Sequence, residues 1–104
     1  MLIEILYVPG CPNHVSAVRR VREILRSEGM DAPINEIAVN DEMTARSLCF
    51  PGSPTVRING RDAEPSGAKY FGLACRLYSN GSGLPSQEAL HRAVSTAKNQ
   101  QGDV

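Results

Sequence analysis

The 104-residue sequence predicts an α/β fold: a small four-stranded mixed sheet, β-α-β-α-β-β-α, with helices on both faces. Three observations carry this. The apolar, β-branched run Leu2-Ile3-Glu4-Ile5-Leu6-Tyr7-Val8 passes directly into a stretch with helical periodicity. A second strand and a short helix repeat that order over residues 33–49. Thr55-Val56-Arg57-Ile58 then alternates and ends on Asn59-Gly60, the strongest short hairpin signal.

The first run is nearly continuous in apolar character, which suits a central strand covered on both faces. From Pro12 to about Glu28, Val15, Val18, Val21 and Leu25 recur at helical spacing, and Gly29 is the stop. Arg19, Arg22 and Arg26 fall on the other side and read as a solvated face rather than a binding patch. Pro33 to Val39 is the next strand, with Ile34, Ile37 and Val39 as its apolar members, and a right-handed crossover would make it parallel to the first.

Asn40 or Asp41 caps a short helix through about Cys49, with Glu42 in its first turn, and Phe50-Pro51-Gly52 ends it. After the hairpin, Arg61 to Glu64 returns antiparallel. Glycines interrupt the stretch from Pro65 to Pro85, where only Leu73 to Tyr78 reads as a short strand; a loop this long in a small domain is often functional. Ser86 caps a closing helix with Leu90, Ala93, Val94 and Ala97 on one face. One domain is expected over residues 1–97, followed by a polar tail over 98–104.

Lys plus Arg and Asp plus Glu both number 11, so the formal net charge is zero, and neither a nucleic-acid nor an anionic-membrane partner is expected. No apolar run reaches the roughly 20 residues of a membrane span. Strand character from Leu2 leaves no room for a signal peptide, so the expected compartment is the cytoplasm. Three cysteines argue against a disulfide framework and, in a reducing cytosol, read as thiols.

The chemistry centres on Tyr7-Val8-Pro9-Gly10-Cys11-Pro12-Asn13-His14. The strand stops, the chain turns on Pro and Gly, and Cys11 stands at the start of a helix, where main-chain N–H groups and the macrodipole favour a thiolate. Cys11 is the candidate nucleophile and soft-metal ligand; the other reading is a half-buried structural cysteine. His14 lies one turn on, able to stabilise a thiolate or shuttle a proton, or else an exposed histidine without a role.

Cys75 is the candidate resolving thiol, from a loop able to fold back over Cys11 and form a Cys11–Cys75 disulfide; otherwise it is a core cysteine among Phe71, Leu73 and Leu77. Cys49 reads as core and His91 as helix flank. No second pair has zinc-like spacing beside Cys11 and His14, so no metal site or cofactor is expected, beyond a two-thiolate soft-metal site at Cys11 and Cys75.

A cysteine after the first strand and the segment Gly52-Ser53-Pro54-Thr55-Val56-Arg57-Ile58-Asn59-Gly60-Arg61 together resemble the thioredoxin fold. The second segment looks like the proline, strand and hairpin of glutaredoxins and thioredoxins. The resemblance implies a cis Ser53-Pro54 bond beside the reactive sulfur, with Ser53, Pro54 and Pro12 forming the substrate platform and offering main-chain hydrogen bonds to a thiol partner.

Cys11-Pro12-Asn13, the Gly-Ser-Pro-Thr segment and Phe71-Gly72-Leu73-Ala74-Cys75-Arg76-Leu77-Tyr78 resemble more narrowly a small thioredoxin-like family. Its members are labelled thioredoxin family, alkylmercury lyase-associated, or "DF family (seleno)protein", and some are thought to carry selenocysteine at the position matching Cys11. The resemblance implies a thiol-dependent oxidoreductase, working by thiol-disulfide exchange with a small-molecule or protein partner or by reduction of a small oxidant, through a mixed disulfide or a sulfenic acid; the labels also suggest mercury resistance through a mercury or copper carrier. A redox-inactive interaction module is the third reading. The departures are specific. No second cysteine follows Cys11 at the usual spacing, no lysine precedes it, and Pro65-Ser66-Gly67-Ala68 replaces the glutathione-holding Gly-Gly-x-Asp segment of glutaredoxins. Nothing in the sequence indicates an oligomeric state.

Overall fold

A single four-stranded sheet in the order β2-β1-β3-β4 organises the chain: β1 spans Ile3–Tyr7, β2 Ile34–Ala38, β3 Thr55–Ile58 and β4 Arg61–Asp62. The computed structural model describes residues 1–67 and 70–101. Ala68 of the Pro65–Ala68 segment and residues 102–104 of the tail lie outside them. β1 pairs with β2 in parallel and with β3 antiparallel, which makes the sheet mixed. The helices are α1 (His14–Ser27), α2 (Glu42–Ser47) and α3 (Gln87–Gln101).

Alternation along β1 sorts the two faces. Ile3 and Ile5, opposite Ile58 and Val56 in register, pack with Val21 and Leu25 of α1 and with Leu90 and Val94 of α3. Leu6 points the other way and packs with Val39, Ala45 of α2 and Phe50. Helices therefore cover both faces, and the central strand is buried on both.

The buried stripe of α1 is Ala17, Val21, Ile24 and Leu25, while Val15 is 65% exposed. The valine pattern alone set the stripe about one residue off, because packing against both β1 and α3 draws Ala17 and Ile24 inward. Arg19, Arg22 and Arg26 are exposed. The helix starts at His14 rather than Pro12, since the Cys11 carbonyl accepts the His14 N–H at 3.3 Å in a separate turn ahead of it.

Local chemistry settles the ends. Asp41, not Asn40, caps α2, its carboxylate accepting the Thr44 N–H at 2.7 Å; that bond holds the carboxyl below its ordinary value. Ser86 Oγ accepts the Ala89 N–H at 3.0 Å and caps α3. Asn59 and Gly60 both take positive φ, as a type I′ hairpin turn requires. The return strand is only Arg61–Asp62, two residues short of the predicted Glu64. α3 continues beyond residue 97, and the Lys98 ammonium donates to the Glu28 carbonyl at 3.0 Å and ties that last turn to α1.

Cys49 departs from its predicted core position. It is exposed and has φ +51. The Cys49 N–H bonds the Arg46 carbonyl and the Phe50 N–H bonds the Ala45 carbonyl, the double closure that ends a helix through one left-handed residue. Phe50 takes the core place instead, and Cys49 turns outward. A left-handed conformation costs a side-chain-bearing residue about 1–2 kcal/mol. Cys49→Gly should therefore raise stability by roughly 0.5–1 kcal/mol after the added unfolded-state entropy, read as a higher urea midpoint at unchanged slope.

Candidate functional site

Cys11 stands where the central strand leaves the sheet. Gly10 takes φ +86 to reverse the chain, and the Cys11 N–H donates to the Val8 carbonyl at 3.0 Å. The side chain is partly exposed, and Pro9, Gly10 and Pro12 around it are exposed. Cys11 lies two residues ahead of the helix cap Asn13, which makes no side-chain capping bond.

The segment before β3 reaches the same place. Ser53 is buried, and its Oγ accepts the Val8 N–H at 3.0 Å, tying the Cys11 turn to the residue before Pro54. The Ser53-Pro54 peptide is cis. Gly52 has no room for a side chain: an added Cβ would fall 2.9 Å from the Arg76 Cβ.

The long loop closes the site from above. The Ser53 N–H donates to the Ala74 carbonyl and the Arg76 N–H to the Ser53 carbonyl, each at 2.9 Å, so Cys75 faces Ser53 in an isolated parallel bridge. The Ser53 hydroxyl, on the other side of that bridge, is the group that reaches the Cys11 turn through the Val8 N–H. Cys75 is exposed, not the buried member of an apolar cluster, and Leu77 is 76% exposed. Further along, Gly83 comes so near the Cys11 turn that an added Cβ would lie 2.3 Å from the Asn13 Nδ2. The Arg20 guanidinium donates to the Pro85 carbonyl at 2.9 Å and fixes that end of the loop to α1.

Two residues that sequence reading passed over hold this arrangement. Arg76 is buried, donating to the Thr55 Oγ1 at 3.2 Å, to the Asp62 carboxylate at 2.7 Å and to the Glu64 carbonyl. Its guanidinium lies 4.1 Å from the centre of the Tyr78 ring. The Tyr78 hydroxyl is buried and donates to the Pro54 carbonyl. Burial pushes this hydroxyl far above its ordinary value; Arg76 opposes the rise, while Asp62, Glu64 and Cys11 add to it. The phenol therefore stays protonated and keeps donating. The alternation of Arg76 and Tyr78 with Cys75 and Leu77 was the available signal, with acidic Asp62 and Glu64 nearby in the hairpin.

The contacts of His14 lie on the first two strands. Its ring stacks on Tyr7 at 3.6 Å between centroids, and its Nε2 lies 2.6 Å from the Glu36 carboxylate on β2. Its side chain thus fastens the helix start to the first two strands. Among the described residues, no group of three or more His, Cys, Asp or Glu side chains could hold a metal ion, and no helix is long and apolar enough to cross a membrane. All three cysteines are free thiols.

No protein-family model, no curated protein and no solved structure matches this chain.

Asp62→Ala should lower stability by about 3 kcal/mol, because it leaves the Arg76 guanidinium buried without its counter-charge. Leu77→Ala beside it should change stability by less than about 0.5 kcal/mol, since that side chain is already in water. Urea unfolding of the two variants against the parent checks both.

Proposed function

We propose that the chain is a thioredoxin-like domain that works by thiol chemistry at Cys11, exchanging thiols with a disulfide in a reducing compartment such as the cytoplasm. One observation supports this: the Val8 N–H to Ser53 Oγ bond, which joins the accessible Cys11 turn to the Ser53-Pro54 segment, the same segment that Cys75 bridges. A structural cysteine has no need of such an accessible turn.

In the proposed cycle the Cys11 thiolate attacks one sulfur of the substrate disulfide. A new S–S bond forms, the substrate S–S bond breaks, and the electron pair leaves with the other sulfur, which takes a proton from water. The Cys75 thiolate then attacks the Cys11 sulfur. The second substrate thiol is released, and a Cys11–Cys75 disulfide remains. An external dithiol reduces that bond and is itself oxidised, so two electrons pass from dithiol to substrate. Cys75 suits the resolving role because it is exposed and lies in register with Ser53. His14 has a supporting part, holding the helix start through Tyr7 and Glu36.

Reduction of cystine by dithiothreitol, with the protein as catalyst, tests the reading. Cys11→Ser should lower the rate at least about a hundredfold by removing the nucleophile. Cys75→Ser should let a half-cystine adduct accumulate on Cys11, seen as an intact-mass gain after a brief exposure to cystine. An unreactive Cys11 in the parent protein would end the proposal.

A further inference from the structure

We infer that the substrate of this site is a small disulfide rather than an extended polypeptide, because the chain's own loop fills the position a polypeptide would take. The inference rests on the Cys11 redox reading and narrows its substrate class. A polypeptide that presents its disulfide to a thiol site in extended form is held by main-chain pairing to an open edge. The edge beside the Cys11 turn is Ser53-Pro54, and its groups can be followed one by one.

The Ser53 N–H donates to the Ala74 carbonyl, and the Ser53 carbonyl accepts the Arg76 N–H. The Ser53 hydroxyl holds the Val8 N–H. Pro54 has no N–H, and its carbonyl accepts the Tyr78 hydroxyl. Each polar group of Ser53 and Pro54 is already engaged within the chain, so the main-chain hydrogen bonds the thioredoxin resemblance implies for a partner at these residues are made to the loop instead. Cys75 sits at the centre of that strap, opposite Ser53, where an incoming strand would set its own residue.

The strap is well fastened. Arg76 anchors one side in the hairpin through Asp62 and Glu64, Tyr78 anchors the next turn, and the Glu42 carboxylate lies against Gly72 on the approach. Cys11 itself remains partly exposed, flanked by the exposed Pro9, Gly10 and Pro12. A compact disulfide such as cystine can reach that sulfur without lifting the strap; a polypeptide needing Ser53 cannot.

The full chain is assayed with cystine and with insulin, dithiothreitol as donor in both. We expect kcat/KM for insulin to be at least about a hundredfold below that for cystine. Arg76→Ala loosens the strap and should raise the insulin-to-cystine ratio at least about tenfold; Tyr78→Phe, which removes a single hydroxyl, should move it the same way should Arg76→Ala fail to fold. Comparable rates for the two substrates in the parent protein, or a ratio unmoved in every folded variant, would overturn the inference and leave the redox reading standing. Failure to reduce either substrate would overturn the redox reading and this inference with it.

Discussion

Burying an arginine costs several kcal/mol unless its guanidinium is met, and the Arg76 pocket meets the two terminal nitrogens with a carboxylate, a hydroxyl and a carbonyl and sets the cation over an aromatic face, leaving only Nε without a partner among the described residues. Those groups come from β3, from β4 and its following turn, and from the loop itself, so the pocket exists only once the hairpin has formed. The geometry of the rest follows by alternation. Burial alternates along this stretch: Arg76 and Tyr78 are turned inward, and Cys75 and Leu77 between and beside them are exposed. The same stretch presents the Ala74 carbonyl and the Arg76 N–H to Ser53. One buried cation thereby sets the exposure of Cys75, the occupation of Ser53 and the approach to the Cys11 turn.

Elements governed by near neighbours were legible in the sequence. The run from Leu2 to Val8, the hairpin at Asn59-Gly60 and the cap at Ser86 each depend on residues within a few positions, and each lies where the local rules set it. The loop over 65–85 was not legible, because it is organised by pairs far apart in sequence. Arg76 meets Asp62 and Thr55 across 14 and 21 positions. A charged residue flanked by Cys75 and Leu77 reads as the outward member of its strand, and only the three-dimensional placement of Asp62 reverses that.

Cys49 and Val15 failed for the opposite reason, since both are local. An apolar flank made Cys49 look buried, but helix closure assigns the left-handed position to residue 49 and the core to residue 50. Val15 belongs to a genuine helical stripe, yet the α1 face is chosen by the sheet and α3 together, and that choice excludes it. At the site itself, the positions of Cys11 and Ser53-Pro54 could be read from sequence, while the partners of His14 could not, because Tyr7 and Glu36 sit on two different strands.

In the proposed cycle, the energetics of the strap decide which substrates are admitted. Lifting Ala74 to Tyr78 from Ser53-Pro54 breaks two main-chain hydrogen bonds and the Tyr78 hydroxyl bond, and it withdraws Arg76 from Asp62. At about 1 kcal/mol for each neutral bond and about 3 for breaking the buried pair, opening costs on the order of 6 kcal/mol. That corresponds to an open population of roughly four molecules in a hundred thousand. A partner that binds only the open form has its apparent affinity reduced by that fraction, whereas one that approaches Cys11 from the exposed Pro9–Pro12 side is unaffected. Loss of the proposed resolving thiol, Cys75, would leave the strap in place, because the groups that hold it belong to Arg76, Tyr78 and the main chain around Cys75, not to its sulfur.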